Sequence, residues 1–126
     1  MYTLLLVTQF PDEQAIYGEA LRAHGFSVHA TGDAEVAFAY AKRRQPDLII
    51  TRIPHPGPVG LLQLLKRDAM TRSLPVVVLT SLMQPQDRTA AMLAGCDGYL
   101  LLPTLPETLI KEIRRVIARR RHQRAV

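Results

Sequence analysis

Residues 46–57, PDLIITRIPHPG, run from an apolar stretch directly into an arginine and then a proline-rich turn. A guanidinium placed where a buried strand leaves the core is suited to one kind of chemistry. It is always protonated, donates through a planar fork and accepts nothing, so it holds carboxylates and oxyanions and cannot serve as nucleophile or base. Thr8 and Thr80 end two other apolar runs, and with Arg52 they would make a hydroxyl-lined anion site. A plainer role is also open to Arg52, as a residue that reaches solvent or pairs locally with Asp12 or Glu13. The other reactive side chains stand apart. His24, His29, His55 and His122 have no cysteine, aspartate or second histidine at ligand spacing, so no metal set can be assembled. His55, within Pro54-His55-Pro56-Gly57-Pro58, reads as a surface residue on a stiff loop, and Cys96 as a small packing residue. No nucleophile–base pair emerges, and the expectation is that the chain is not an enzyme.

These residues are positioned by a regular alternation. Short apolar runs at 3–7, 26–29, 47–51, 76–80 and 98–101 predict strands, and amphipathic stretches at 11–24, 33–44, 58–69, 85–94 and 105–120 predict helices. The first, third and fourth runs are nearly continuous Leu, Ile and Val, as in strands covered on both faces, whereas Phe26-Ser27-Val28-His29 alternates like an edge strand. Gly25 and Gly95 fall where helices one and four should stop, and Asp33 where helix two needs an N-cap. Thr104-Leu105-Pro106-Glu107 has capping-box spacing, and Leu109, Ile110, Ile113, Val116 and Ile117 form one stripe of helix five. In helix four, a register that buries Ala91, Met92 and Ala94 leaves Leu93 near the rim. Five strand-then-helix repeats imply a parallel sheet with helices on both faces and right-handed crossovers. In such a sheet, sites form at the carboxyl ends of the strands, where Arg52 lies.

The 126 residues make one domain by length, and 48% hydrophobic with 21% charged is ordinary for a soluble globular protein. A single cysteine fits a reducing cytoplasm, no window is long and apolar enough to span a membrane, and the start reads as a strand rather than a signal peptide. The net charge of +5 points toward nucleic acid, but much of it sits from Lys111 onward, in the last helix and its tail. Such a run reads first as a solvated helix face or a linker. Any nucleic-acid binding through the segment from Arg114 to Arg124 should be weak, sequence-blind and steeply salt-dependent.

Taken in order, Leu-Leu-Leu-Val, PDLIITRIPHPGPVG, LPVVVLTS and AGCDGYLLLP resemble the receiver domain of bacterial response regulators over about residues 3–120. The resemblance implies a flavodoxin-like (βα)5 fold, a three-layer doubly wound sandwich around a five-stranded sheet in the order 2-1-3-4-5. It also implies a cis Leu102–Pro103 bond. A working receiver takes a phosphoryl group onto an aspartate, with two further carboxylates helping to hold Mg²⁺, a lysine on the phosphoryl charge and a hydroxyl that senses it.

Carried over position by position, that chemistry is missing. The acidic pair is replaced by Thr8 and Gln9, the phosphoacceptor by Arg52 and the lysine by Leu102. Thr80 remains at the hydroxyl position and Tyr99 at the aromatic switch position. The family positions thus carry one positive charge, from Arg52, where three acids and a lysine would be expected. The resemblance therefore implies a degenerate, phosphorylation-independent pseudo-receiver, a module for dimerisation or protein docking in two-component-type signalling, with Mg²⁺ binding not expected. Its partner face would be helix four, strand five and helix five, with Arg88, Leu93, Tyr99, Lys111 and Arg115. The domain should cover 1–120, leaving 121–126 as a basic tail or the start of a linker to an output domain. The alternatives are non-specific nucleic-acid binding and a small-anion sensor at Arg52, Thr8 and Thr80. A flavin or nucleotide enzyme on the same fold fits poorly, because Gln9-Phe10-Pro11-Asp12-Glu13 lacks the glycines and hydroxyls that cradle phosphate.

Overall fold

Nearly continuous runs of leucine, isoleucine and valine build a sheet that is buried from both sides. The computed structural model describes residues 1–53 and 60–125, the last two without their side chains. Strands β1 (Thr3–Val7), β2 (Ser27–Thr31), β3 (Leu48–Ile53), β4 (Val76–Thr80) and β5 (Gly98–Leu101) are all parallel, in the order β2-β1-β3-β4-β5. They alternate with α1 (Pro11–Ala23), α2 (Ala34–Arg44), α3 (Gly60–Arg67), α4 (Pro85–Leu93) and α5 (Pro106–Ala125). This is the flavodoxin-like order expected.

Strand residues divide between two apolar layers as the pleat requires. Leu4, Leu6, Leu48, Ile50, Val77 and Leu79 face α1 and α5, where they meet Tyr17, Leu21, Leu109 and Ile113. Leu5, Val7, Ile49, Val76 and Val78 face the other way, against Ala37 and Ala41 of α2, Leu61 and Leu65 of α3 and Ala91 of α4. The stripe of α5 is wholly buried, as its spacing predicts.

The expected stops hold. Gly25 and Gly95 take φ of 91° and 104°, and the Asp33 carboxylate accepts from the Val36 amide at 2.9 Å. The Leu102–Pro103 bond is cis.

Several boundaries differ from expectation. Strand β2 runs later, over 27–31, because it pairs with β1 as far as Val7 and Thr31, while Phe26 drops into the core. Strand β3 continues to Ile53, so Arg52 lies within the sheet, opposite Leu79, rather than beyond its edge. Helix α5 does not stop at 120 but continues to Ala125. Met92, expected inside, is 46% exposed, because α4 buries only Ala91 fully, and Leu93 is exposed outright. His55 and the expected start of helix three at 58 lie outside the described residues.

Candidate functional site

In a parallel sheet every loop that leaves a strand's carboxyl end opens on the same side, so β1, β3, β4 and β5 deliver Thr8, Arg52, Thr80 and Leu102 to one end of the molecule. Thr8 is fully buried. Its amide donates to the Thr31 carbonyl at 3.1 Å, and its carbonyl accepts from Gln14 Nε2 at 2.7 Å. The Thr8 hydroxyl accepts from the Phe10 amide at 3.3 Å and donates to Glu13 Oε1 at 2.6 Å. A second glutamate oxygen, Oε2, lies 3.4 Å from Arg52 Nε. The guanidinium carbon sits 4.9 Å from the centre of the Phe10 ring.

Arg52, Glu13, Thr8 and Phe10 therefore form one closed cluster, a clasp between the end of β3 and the first turn of α1. The clasp is largely shielded, with the Arg52 side chain 12% and the Glu13 side chain 21% exposed. Arg52 Nε and Nη1 are buried and make no hydrogen bond among the described residues, where the guanidinium is held by charge and by the ring face. Of the two acids weighed as local partners, Glu13 is the one that pairs. Its carboxylate offsets the positive charge of Arg52.

Thr80 is also fully buried but does not join the clasp. Its hydroxyl accepts from the Leu82 amide at 3.0 Å, and the Leu82 carbonyl in turn accepts from the Tyr99 hydroxyl at 3.2 Å. Arg88 lies over the Tyr99 ring at 5.9 Å. Burial, with Asp87 adding to it, raises the Tyr99 phenol above its ordinary pKa. Leu102 turns its side chain into the layer under α1 and α5, and its amide donates to the Thr80 carbonyl at 2.7 Å. Gln9 lies beside Gly32, where an added Cβ would come within 3.2 Å of Gln9 Cα.

The proposed partner face is only partly contiguous. Arg88 and Tyr99 share a shallow groove with Met83, Pro85 and Leu101. Leu93 is 83% exposed at the far end of α4. Arg115 turns away, pairing with Glu112 and donating to the Asp97 carbonyl at 3.3 Å near the start of β5. Lys111 is exposed on α5.

Phe10 and the choice of Glu13 over Asp12 were not legible as site residues in the sequence. The signal available for Glu13 was its place three residues into a helix whose first turn faces Arg52. Nothing in the sequence marked Phe10 beyond its being an aromatic in a polar loop.

The profile of the response regulator receiver domain matches residues 4–114. The phosphate regulon transcriptional regulatory protein PhoB of Klebsiella pneumoniae is 37% identical over 101 residues, which are 79% of this chain and 44% of PhoB. Protein PilH of Pseudomonas aeruginosa is 31% identical over 120 residues, covering 94% of this chain and 99% of PilH. Thus the chain spans about half the length or less of PhoB-type relatives and nearly all of PilH. Among solved structures, the chemotaxis response regulator CheY4 of Vibrio cholerae superposes with a TM-score of 0.84 at 25% identity, over 92% of this chain and 98% of that one. A receiver domain protein from Methanospirillum hungatei, at 17% identity, shares the fold with a TM-score of 0.90. With sheet order, strand-end landmarks and profile in agreement over most of its length, the chain belongs to the response regulator receiver domain family of two-component signalling.

Proposed function

We propose that this receiver domain works without phosphorylation, as a docking or dimerisation module whose former reaction pocket is closed by its own residues. The observation that carries the reading is the clasp: the guanidinium of Arg52, which we read as standing at the phosphoacceptor position, is paired with Glu13. An arginine has no lone pair with which to attack phosphorus. Receiver domains in general bind Mg²⁺ at an acidic pocket, and that ion asks for several oxygen ligands in near-octahedral geometry. The donors here do not suit it. Thr8 and Gln9 are neutral, and the one carboxylate of the clasp already faces a cation. Leu102, packed into the core, offers nothing to a phosphoryl oxygen. Among the described residues no set suited to catalysis is gathered at this end, and the role we assign it is recognition.

The partner surface we assign is the groove of Arg88, Tyr99 and Leu101 with exposed Leu93 beside it on α4, and Lys111 on α5 as its far edge. Arg115 belongs to it less than its spacing implied, since its guanidinium is engaged by Glu112 and Asp97. The Thr80–Leu82–Tyr99 hydrogen-bond relay would hold Tyr99 in one position. On this reading the domain ends near residue 120, the rest of α5 leads toward a partner or an output domain, and the protein acts in the cytoplasm.

A second reading, a small-anion sensor at Arg52, draws on the two guanidinium nitrogens that lack acceptors. Against it, the Glu13 carboxylate already occupies the guanidinium, and Thr80 points to Leu82. Calorimetry with phosphate and acetyl phosphate separates the two readings, and heat at low millimolar ligand would favour the sensor.

The test of the main reading is intact-protein mass after incubation with acetyl phosphate or beryllofluoride plus Mg²⁺, beside sedimentation velocity with and without the same reagents. No adduct and an unchanged sedimentation coefficient are expected. A Mg²⁺-dependent adduct or dimer would overturn the proposal.

A further inference from the structure

In this fold every helix runs antiparallel to the strands, so all helix first turns collect at the Arg52 end and all last turns at the opposite end, the base. The sequence distributes its charges along that axis. First turns carry acids: Asp12 and Glu13 in α1, Glu35 in α2, Asp87 in α4 and Glu107 in α5. Last turns carry bases: Arg22 in α1, Lys42, Arg43 and Arg44 in α2, and Lys66 and Arg67 in α3. Each placement complements its helix dipole. Together they bias acids toward one end of the domain and bases toward the other.

Helix α5 adds Arg119, Arg120 and Arg121 to the base. Arg120 reaches the Ser73 carbonyl just before β4, and Arg121 reaches the Tyr2 hydroxyl just before β1, at 2.9 Å. A cleft of about 210 Å³ opens there between α5 and the strand starts, lined in part by Gln45, Ser73, Arg120 and Arg121. Arg44 and Arg43 line the next groove, around the sheet edge.

Asp47, Asp68 and Asp97 offset only part of the positive charge of this end. Asp47 accepts from the Thr3 amide at 2.7 Å, Asp68 from the Met70 amide at 2.8 Å and Asp97 from the Val76 amide at 2.8 Å, the last also facing Lys66. All three close backbone turns at strand or loop starts. Meanwhile Arg43, Arg44, Arg67, Arg72, Arg119 and Arg121 are exposed.

We infer that the base is a docking surface for the phosphate backbone of a nucleic acid, bound without reading its sequence. The partner follows from the chemistry of the surface. It is built of arginines, whose planar forks match phosphate oxygens. It spans three helix ends rather than one tail, as a track for successive phosphates requires. Aromatic rings are few among its cations, Tyr40 beside Arg43 and Arg44 and Tyr2 beside Arg121, and the choice of partner rests on the excess of arginine. Among the described residues the cations come from the last turns of separate helices, so contacts to phosphates rather than to bases are expected. This surface lies at the end opposite the clasp and is independent of the pseudo-receiver reading.

The experiment is fluorescence anisotropy of the intact chain with a labelled mixed-sequence duplex of about 30 base pairs, from ~50 mM to ~0.3 M salt. Binding at the low end is expected, with a linear log–log loss of affinity as salt rises. Arg43→Glu with Arg44→Glu, and separately Arg119→Glu with Arg121→Glu, should each weaken binding at least tenfold and flatten the slope by about 2. The milder glutamine pairs should act in the same direction, and circular dichroism checks that each variant is folded. Gln86→Glu, at the other end, should leave affinity within about twofold. Absence of binding at ~50 mM salt, or base variants no weaker than Gln86→Glu, would overturn the inference. So would capture by anionic phosphatidylserine vesicles or a polyglutamate peptide in place of the duplex.

Discussion

Arg52 and Glu13 face each other across the sheet end in surroundings that leave little water on either side chain. A charge pair in that setting is fragile in an asymmetric way: removing one partner strands the other, whereas removing both can be nearly neutral. Glu13→Ala should therefore destabilise the domain by about 1–3 kcal/mol, and the Glu13→Ala, Arg52→Ala double variant should recover part of that loss in a urea-unfolding cycle. Additive losses would mean that the two side chains do not interact in solution. Cys96 is a second residue whose setting determines its chemistry. Burial, followed by the nearby Asp97 charge, pushes its thiol up to about 11. Alkylation by iodoacetamide at pH 8 should accordingly be slower than that of a free thiol by about 100-fold from ionisation alone. Because the folded value lies above the ordinary one, 9.0, the stability it contributes is complete below about pH 9 and is lost as pH rises toward 11. Tyr17 and Tyr99, also raised mainly by burial, act in the same sense, while Lys66, lowered mainly by burial, opposes them. Urea midpoints at pH 8 and pH 10.5 should show a net fall, smaller in Cys96→Ala. At this scale the identity of Arg52 was plain from the sequence, but its partner was not, because two acids lay equally near in the chain and only the helix phase of α1 chose between them.

Helix ends give the elements their own tests. The Asp33 carboxylate satisfies the Val36 amide at the start of α2, so Asp33→Ala should lower stability by about 1 kcal/mol. Gly25 and Gly95 both hold positive φ, yet their surroundings differ. A Cβ at Gly25 meets nothing within 4 Å, whereas one at Gly95 comes within 3.2 Å of Lys66 Cγ. Gly25→Ala should then show backbone strain alone, about 1 kcal/mol, and Gly95→Ala more, unless the flexible Lys66 stem gives way. Thermal melts of the pair measure the difference. Elements were legible where period and punctuation agreed: β1, β4 and β5 have the bounds expected, and the glycines stop α1 and α4. They were less legible where tertiary pairing decides. Strand β3 runs on to Ile53 because β4 offers Thr80 as its neighbour, a fact local propensity does not contain. Met92 was assigned inward by a register shared with Ala91 and Ala94, but a helix that lays only the alanine side of its surface on the sheet leaves it outside.

The molecule as a whole is electrically lopsided, with capped acids at one end and open arginines at the other. Repulsion among the basal arginines is solvent-exposed and long-range, so it is screened by salt, while the shielded Arg52–Glu13 pair is screened little. Raising salt from ~50 mM to ~0.5 M should therefore raise the melting temperature, and the Arg43→Glu, Arg44→Glu variant should show a smaller rise. Net charge was visible in the sequence, but its sorting was not, since it depends on all helices pointing the same way against the sheet. The clasp at the other end has a consequence in time. A phosphoryl mark appears and decays, so an ordinary receiver reports how recently it was addressed. The Arg52 side chain, unlike a phosphoryl group, is neither added nor removed during the life of the chain. On the function proposed for it, such a domain keeps no record of events, and the strength of its signal can be set only by how many copies the cell holds.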